Sequence, residues 1–419
     1  MAGWDGSGNW SWSYVWVNEE ALNQYIDATK FDAQFADAKA GFENCLTRDG
    51  QGKPSANINW NAKKITNLAN GTASGDAVNL SQLTGIVSGN VFRRNMLVNG
   101  DFAVWQAGAG GSASIAGTAA RVRTADCWWA IRAGTTGYTV SQQTGESSRY
   151  ALKWQRNAAN ASTEVMYLGQ SLETENCVWL KRGTPPTLYL SFKAKKGANY
   201  SGGDLSVLVI RGTGTDGNVL DGFTGATTLA TLTQTLTGTL TRYSVAVPCD
   251  TSTNQIGVRF AWTPSGVAGA DDSVTLEEVQ LEVASAATDF ERVPFAETLA
   301  RCQRYYYKTF PYGYAPAQNV GDTFGALLMS GLRAGAVAQG VWTFILPVEM
   351  HESIGGASAG YSPLSADNGV YNVTRSQSGA TWTAVAWGNR LQITISVGTA
   401  GTQISDTLAL HYVVANGTF

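Results

Sequence analysis

The 419-residue sequence predicts a mainly β protein, and three observations carry that expectation. Charged residues make up only 15% of the chain, against roughly 25% in ordinary soluble proteins, while glycine reaches 47 residues. Short apolar alternations of period two recur along most of the length, each bounded by turn-forming residues, as half-buried strands require. Helical spacing is confined to about 29–45, 76–88 and 295–306. The predicted order is a small α-containing head (1–53), an oligomerising neck (54–91), a jelly-roll β-sandwich (92–293) and a β-sandwich tip (294–419).

In the head, Trp4, Trp10, Trp12, Tyr14 and Trp16 are aromatic and alternate from position 10, which predicts a β-like arm with one aromatic face. Such an arm folds back on its own domain or docks into a neighbour's groove. So short a segment has little core to fold onto, which makes Trp4, Trp10, Trp12 and Trp16 attachment candidates. A helix is expected from Thr29, as N-cap, to Cys45. Phe31, Phe35, Ala38 and Phe42 share one stripe of it, for packing within the head, for attachment to a larger assembly, or for both.

The neck begins with a short strand alternating through Ile58 and Trp60 and turns at Asn70-Gly71-Thr72. Asp76 is placed to N-cap a helix in which Leu80, Leu83 and Val87 follow coiled-coil spacing. Together with Ile65 and Leu68 these are the candidate oligomerisation residues, because a strand and helix this short have no core of their own.

In the third segment, strands are expected at 151–154, 187–194, 205–210, 239–247, 256–262 and 274–283, the rhythm of a sandwich or jelly roll. The apolar parity of the last one slips at Glu277-Glu278, which predicts a β-bulge. A connecting helix then starts at Pro294, with Leu299, Cys302 and Tyr306 on one face. In the tip, Leu391, Ile393, Ile395 and Val397 alternate, as do Leu408, Leu410 and Tyr412.

The neck carries a family resemblance. The runs KITNLANGT (64–72) and DAVNLSQL (76–83) resemble the neck of bacteriophage tail fibre proteins. Asn95 to Phe102 with Trp105-Gln106, and Val279 to Glu282 with Ala287 to Glu291, resemble the opening and closing edges of the jelly-roll domain in such fibres. Similar edges occur in carbohydrate-binding modules, some of which hold a structural calcium through acids at matching ends, here Asp101 or Asp272. A solvated turn acid is the simpler account of either, since calcium wants six or more oxygens. Arg301 to Tyr306 and Pro347 to Met350 resemble the tip junction and a tip strand end, whereas the glycine- and serine-rich run 355–379 departs from the pattern. The resemblance implies a homotrimer attached to a phage tail, baseplate or adaptor protein through its N-terminus. It would bind a host surface polysaccharide or lipopolysaccharide, reside in the virion, and be assembled in the host cytoplasm.

Other features bound the function. A net charge of -3 gives no reason to expect nucleic acid, and no apolar run approaches the length of a membrane span. The start lacks a signal peptide's basic and apolar regions. Cys45, Cys127, Cys177, Cys249 and Cys302 are scattered, as buried thiols rather than a disulfide framework or zinc site. Gly356-Ala357-Ser358-Ala359-Gly360 matches the nucleophile-elbow pattern but is expected to be a flexible loop. Gly212 to Gly217 matches a phosphate-loop spacing without a following helix and reads as a hairpin loop. His351 and His411 have no evident catalytic partners. Asp271-Asp272 and Glu277-Glu278, adjacent in sequence, are expected to point apart or into solvent rather than across a cleft. Neither enzyme activity, metal nor cofactor is therefore expected.

Sugar binding remains, since aromatic faces stack on sugar rings and small polar side chains bond their hydroxyls. Tyr361 and Tyr371, in a polar stretch taken as flexible, are the first candidates, with Tyr312, Tyr314, Trp382 and Trp387 behind them. The expected function is a glycan-binding tail fibre. A compact polysaccharide depolymerase and a structural adaptor or decoration protein without a receptor are the alternatives.

Overall fold

The structure is a computed structural model describing residues 3–4, 10–11, 28–43, 57, 62–73, 75–79, 94–107, 112–115, 121–320, 325–330, 338–351, 358–364, 370–374, 376–387, 390–397 and 407–415. The chain divides into two units, Met1–Asn79 and Leu80–Phe419.

In the first unit, β1 (Gly3–Trp4) and β2 (Trp10–Ser11) pair antiparallel with Trp4 opposite Trp10. Helix α1 (Ala28–Glu43) starts before Thr29, so Thr29 lies in its first turn and is not the N-cap. The phenylalanine stripe forms, with Phe31 and Phe35 rings 4.7 Å apart, and is exposed in the single chain. The neck departs from expectation at Asp76, where no helix begins: residues 76–79 are non-helical. Its carboxylate turns back and accepts the amides of Thr72 (2.7 Å) and Ala73 (2.8 Å), closing the preceding turn instead of capping a following helix. The Asn79 side chain adds bonds to Leu68 O (3.1 Å) and Asn70 Oδ1 (2.7 Å). Ile65 and Leu68 are left exposed. Trp12, Trp16, Ile58, Trp60, Leu80, Leu83 and Val87 lie outside the described residues.

The second unit opens with a sandwich. Its strands are β3 (Ser112–Ile115), β4 (Val122–Arg123), β5 (Trp129–Arg132), β6 (Tyr138–Thr144), β7 (Tyr150–Arg156) and β8 (Met166–Ser171). They continue with β9 (Thr187–Lys196), β10 (Leu205–Gly212), β11 (Thr227–Gln234), β12 (Thr241–Pro248), β13 (Gln255–Trp262) and β14 (Ser273–Val283). One sheet runs β11-β10-β13-β8-β5-β4 and the other β12-β9-β14-β7-β6-β3, both antiparallel. Alternate residues face inward, as with Leu188, Leu190, Phe192 and Ala194 of β9, all fully buried. Aromatic edges bridge the sheets: Trp154 meets Trp262 at 6.0 Å and Phe192 meets Phe260 at 5.1 Å, both near perpendicular. The bulge falls where parity predicts it, with Glu278 at φ 53° and a register shift between Glu277 and Gln280. A short helix α2 (Thr174–Cys177) and a 3₁₀ turn (Val178–Lys181) add helix where none was expected.

Helix α3 (Phe295–Gln303) is shorter than expected. The Pro294 carbonyl accepts the Glu297 and Thr298 amides at its start. Tyr306 is not on the helix face but opens β15 (Tyr306–Lys308), pairing with Ala415. The tip continues through β16 (Leu327–Met329), β17 (Ala338–Ile345), β18 (Ser358–Tyr361), β19 (Val370–Asn372), β20 (Gln377–Trp387), β21 (Arg390–Val397) and β22 (Leu408–Ala415). These join β15-β22-β19-β20-β21-β17, with β16 and β18 also on β22. Leu391, Ile393, Leu408, Leu410 and Tyr412 form the core with Met329, Leu346 and Val370. Ser358 therefore belongs to a strand, not to the expected loop, and not to a strand-to-helix turn either.

Candidate functional site

The aromatic candidates are spread over the segment after β15 and strands β18, β19 and β20. Tyr312 sits where the sandwich meets the tip: its hydroxyl accepts the Trp105 amide (2.9 Å) and donates to Ala103 O (3.1 Å), and its ring meets Phe295 edge-on. Tyr314 is exposed. Tyr361 and Tyr371 lie in strands, opposite His411 and Ala409 of β22, rather than in a flexible stretch. Tyr361 packs against Phe310 at 5.5 Å. No ring contact among the described residues joins two of these four tyrosines. Trp382 and Trp387 are placed only by their backbone, in β20 opposite Ile395 and Arg390.

The described residues present a different site, one the sequence did not flag. A cleft of about 580 Å³ opens on the outer face of the β12-to-β3 sheet, lined from β6, β7, β9 and β14 and the turns beside them. Register explains it. Ser141, Lys153, Thr275 and Lys195 are paired in turn across four adjacent strands, so they stand in a row facing away from the core. Their neighbours in sequence, Leu152, Trp154, Ala194, Val274 and Leu276, are the buried ones. Elsewhere the same face is covered by the domain's own ends. The Met96 amide bonds Leu281 O (2.9 Å), the Glu291 amide bonds Gln280 Oε1 (2.7 Å), and the Thr288 hydroxyl bonds Glu282 Oε2 (2.6 Å).

Two ion pairs frame the row, Lys153 with Asp271 at 2.8 Å and Lys195 with Glu146. Asp271 also accepts the Ala198 amide (2.9 Å) and the Ser273 hydroxyl (2.7 Å). Burial pushes its carboxyl up, but Lys153, that amide and that hydroxyl together hold it below the usual carboxylate range. Glu277 accepts the amides of Glu146 (2.8 Å), Ser147 and Ser148 (both 2.9 Å). Glu278 bonds the Ser148 hydroxyl (3.1 Å), Lys193 and Arg292. The two glutamates therefore converge on one turn instead of pointing apart, because the left-handed bulge residue cancels the alternation of the strand.

Asp272 is likewise no solvated acid. It and Arg156 are both fully buried, bonded Nε to Oδ2 at 2.8 Å, so a guanidinium fills the place where a cation ligand was considered. Asp101 is half-buried, and burial raises its carboxyl. Among the described residues no group of three or more His, Cys, Asp or Glu is arranged to hold a metal ion. His411 stacks on Phe310 at 4.0 Å, and His351 lies 3.4 Å from Asp216 and 3.9 Å from Glu173.

The family described as the coiled stalk of trimeric autotransporter adhesin matches residues 64–100. No curated protein matches the chain in sequence. Among solved structures, the enzymatically active domain of bacteriophage CBA120 tailspike protein 4 is similar at 12% identity and a TM-score of 0.28, over 45% of this chain and 21% of that one. The chain thus spans about a fifth of the tailspike's length. A CBM4 structure is similar at 13% identity and a TM-score of 0.26, over 44% and 97%. The CBM22-1 xylan-binding domain of Paenibacillus barcinonensis Xyn10C follows at 17% and 0.25, over 43% and 99%.

Proposed function

We propose that this chain is a homotrimeric fibre protein of a bacteriophage tail that binds a host surface glycan without cleaving it. One observation carries the reading: the run from Lys64 that resembles tail-fibre necks is the run matched by a trimeric stalk family, and it leads directly into a sandwich with an open polar face. Ile65 and Leu68, exposed in the single chain, are the apolar groups that three copies would cover, with Leu80, Leu83 and Val87 beyond them. The tryptophans of the arm would attach the head to a tail, baseplate or adaptor protein, and the particle would be assembled in the host cytoplasm.

The mechanism is avidity. Three weak sites on one fibre, and several fibres on one particle, raise the apparent affinity by about 10²–10⁴ without any new contact. Hydrolysis needs a carboxylic acid able to give up a proton beside a second carboxylate. In the cleft Asp271 is held ionised, and both Glu277 oxygens are taken by amides. That favours binding over cleavage.

The test uses the full chain. Sedimentation gives the trimer, and Ile65→Asp with Leu68→Asp should reduce it to monomer. Labelled protein is then bound to intact cells of a strain panel before and after periodate oxidation, while the supernatant is assayed for oligosaccharide. Saturable binding lost on oxidation, with nothing released, is the expected result. Released fragments would establish the depolymerase alternative, and absence of binding across the panel the structural one.

A further inference from the structure

We infer that the outer-face cleft takes an acidic polysaccharide, one whose repeating unit carries a carboxylate. This rests on the glycan-binding reading above and names the class of glycan.

The argument is an inventory of hydrogen-bonding groups. Two of the three acids of the cleft are spent on the protein, and the third, Glu146, gives one oxygen to Lys195. Asp271 accepts from Lys153, Ser273 and the Ala198 amide, using both oxygens. Glu277 accepts three backbone amides, again using both oxygens. The lysines are not spent. An ammonium is a multiple donor with no acceptor. Lys153 commits one N–H to Asp271 and Lys195 one to Glu146. A site whose fixed acceptors, Asp271 and Glu277, are satisfied and whose lysines are multiple donors suits a ligand rich in anionic acceptors, since charge-assisted bonds are roughly twice as strong as neutral ones.

Exposure points the same way. The Glu146 side chain is 55% accessible, so its bridge to Lys195 is easily exchanged for a ligand carboxylate. Among the described residues the lining contains no aromatic ring, which removes the stacking that a neutral sugar face would use. Lys153 and Lys195 flank Thr275 from the strands on either side, about 9–10 Å apart at the backbone. That spacing suits a polymer with repeated negative groups better than one small anion.

The probes are polygalacturonate, alginate and hyaluronate, each beside its carboxyl-reduced neutral counterpart, titrated calorimetrically into the full-length protein at low and at physiological salt. The Lys153→Ala/Lys195→Ala double variant is the site test, with Arg182→Ala as a surface control outside the cleft and thermal melts to confirm folding. At least one acidic polymer should bind, weaken tenfold or more on carboxyl reduction, weaken with salt, and lose binding in the double variant only. Equal binding of a reduced polymer would overturn the inference while leaving a neutral-glycan fibre standing. Acidic binding that ignores the double variant would place the ligand elsewhere and overturn it as well. Failure of every polymer, acidic and reduced, would overturn the inference, and the cell-binding result then decides whether the fibre reading falls with it.

Discussion

Replacing Asp272 by Asn should unfold the sandwich at markedly lower denaturant. Arg156 ends β7 and Asp272 directly precedes β14, and neither side chain reaches water. Besides the Nε–Oδ2 bond, the guanidinium donates to Ser162 O (2.8 Å), Gly266 O (3.1 Å), Ser265 O (3.3 Å) and Ser201 Oγ (3.3 Å). Asp272 in turn accepts the Ser201 amide (2.7 Å) and hydroxyl (2.8 Å). The pair thus ties the connections at 157–165, 197–204 and 263–272 into one knot. Removing one charge leaves the other buried without compensation, a loss of about 3–5 kcal/mol. Against a total stability of about 5–15 kcal/mol this is severe. With a urea slope of about 1–3 kcal/mol/M, the midpoint should fall by roughly 1–5 M. The assay is urea unfolding of the full chain followed by tryptophan fluorescence, since Trp154, Trp262 and Tyr200 pack as a ring cluster in the same domain. The double variant Arg156→Met/Asp272→Leu should lose less than the sum of the single losses, because it leaves no orphan charge. A shift below about 0.5 M for Asp272→Asn, or strictly additive losses, would refute the reasoning.

Three further outcomes follow from other positions. Gly100→Ala should cost about 1–3 kcal/mol or more by the same assay, since a Cβ there would lie 2.1 Å from Val279 O and displace the Val279 amide that bonds Gly100 O (2.9 Å); a wild-type midpoint would show that the close approach relaxes freely. Asp126, fully buried, has its carboxyl raised by desolvation, against the Gln106 amide and side chain and the charges of Arg123 and Lys308. Between the unfolded value of about 3.9 and the higher folded one, the native state holds a proton the unfolded chain has released, so this group's contribution falls as pH rises through that window. The stability of wild type minus Asp126→Asn should show that slope, opposite in sign to the acid-labile contributions of Asp271 and Glu278, whose carboxyls are lowered. Glu173→Gln should loosen the link between sandwich and tip, because Arg304 Nε (2.6 Å), Arg304 Nη2 (3.0 Å) and the Tyr305 hydroxyl (2.6 Å) all converge on that carboxylate. Losing charge-assisted bonds worth about 1.5–3 kcal/mol should speed trypsin cleavage at Arg304 by about 10–100-fold, and unchanged cleavage would show the contacts to be incidental.

Six of the sandwich's twelve described strands were legible because they alternate. Thr187–Lys196, Leu205–Gly212 and Ser273–Val283 each carry inward apolar residues in alternation, and the slip at Glu277-Glu278 marks the bulge directly. Met166–Ser171 escaped notice because polar Gln170 and Ser171 are buried in it, satisfied by the Val98 backbone and by the Val219 amide, partners distant in sequence. Thr227–Gln234 escaped because it is largely exposed and threonine-rich. The cleft was illegible for a different reason. Lys153, Lys195 and Asp271 look like ordinary surface charges until strand register sets the two lysines on either side of one threonine. The strands at Tyr361 and Tyr371 were hidden because a Gly- and Ser-rich composition marks mobility only where no strand pairs with it, and β22 pairs with both.

The joint between sandwich and tip bears on how such a fibre would bind. Lys308, at the end of β15, donates to Gln106 O (2.9 Å), Tyr312 O (2.9 Å) and Tyr314 O (2.6 Å), so one ammonium holds a sandwich edge and a tip loop together. Burial pushes its pKa down to about 8, with the Asp126 charge opposing. Beside it the Arg123 guanidinium lies over both Trp129 (4.4 Å) and Tyr306 (5.4 Å). Buried cations are tolerated only where their partners stay in place, so opening this joint would strip Lys308 of three carbonyl acceptors. The two domains should therefore present their surfaces in a fixed relation. Fixed presentation matters for avidity, because the second and third contacts of a multivalent binder gain effective concentration only when geometry lets them engage together. Buried polar contacts at a joint, which add little to net stability, would then be selected for orientation, and that separates their role from the apolar cores on either side.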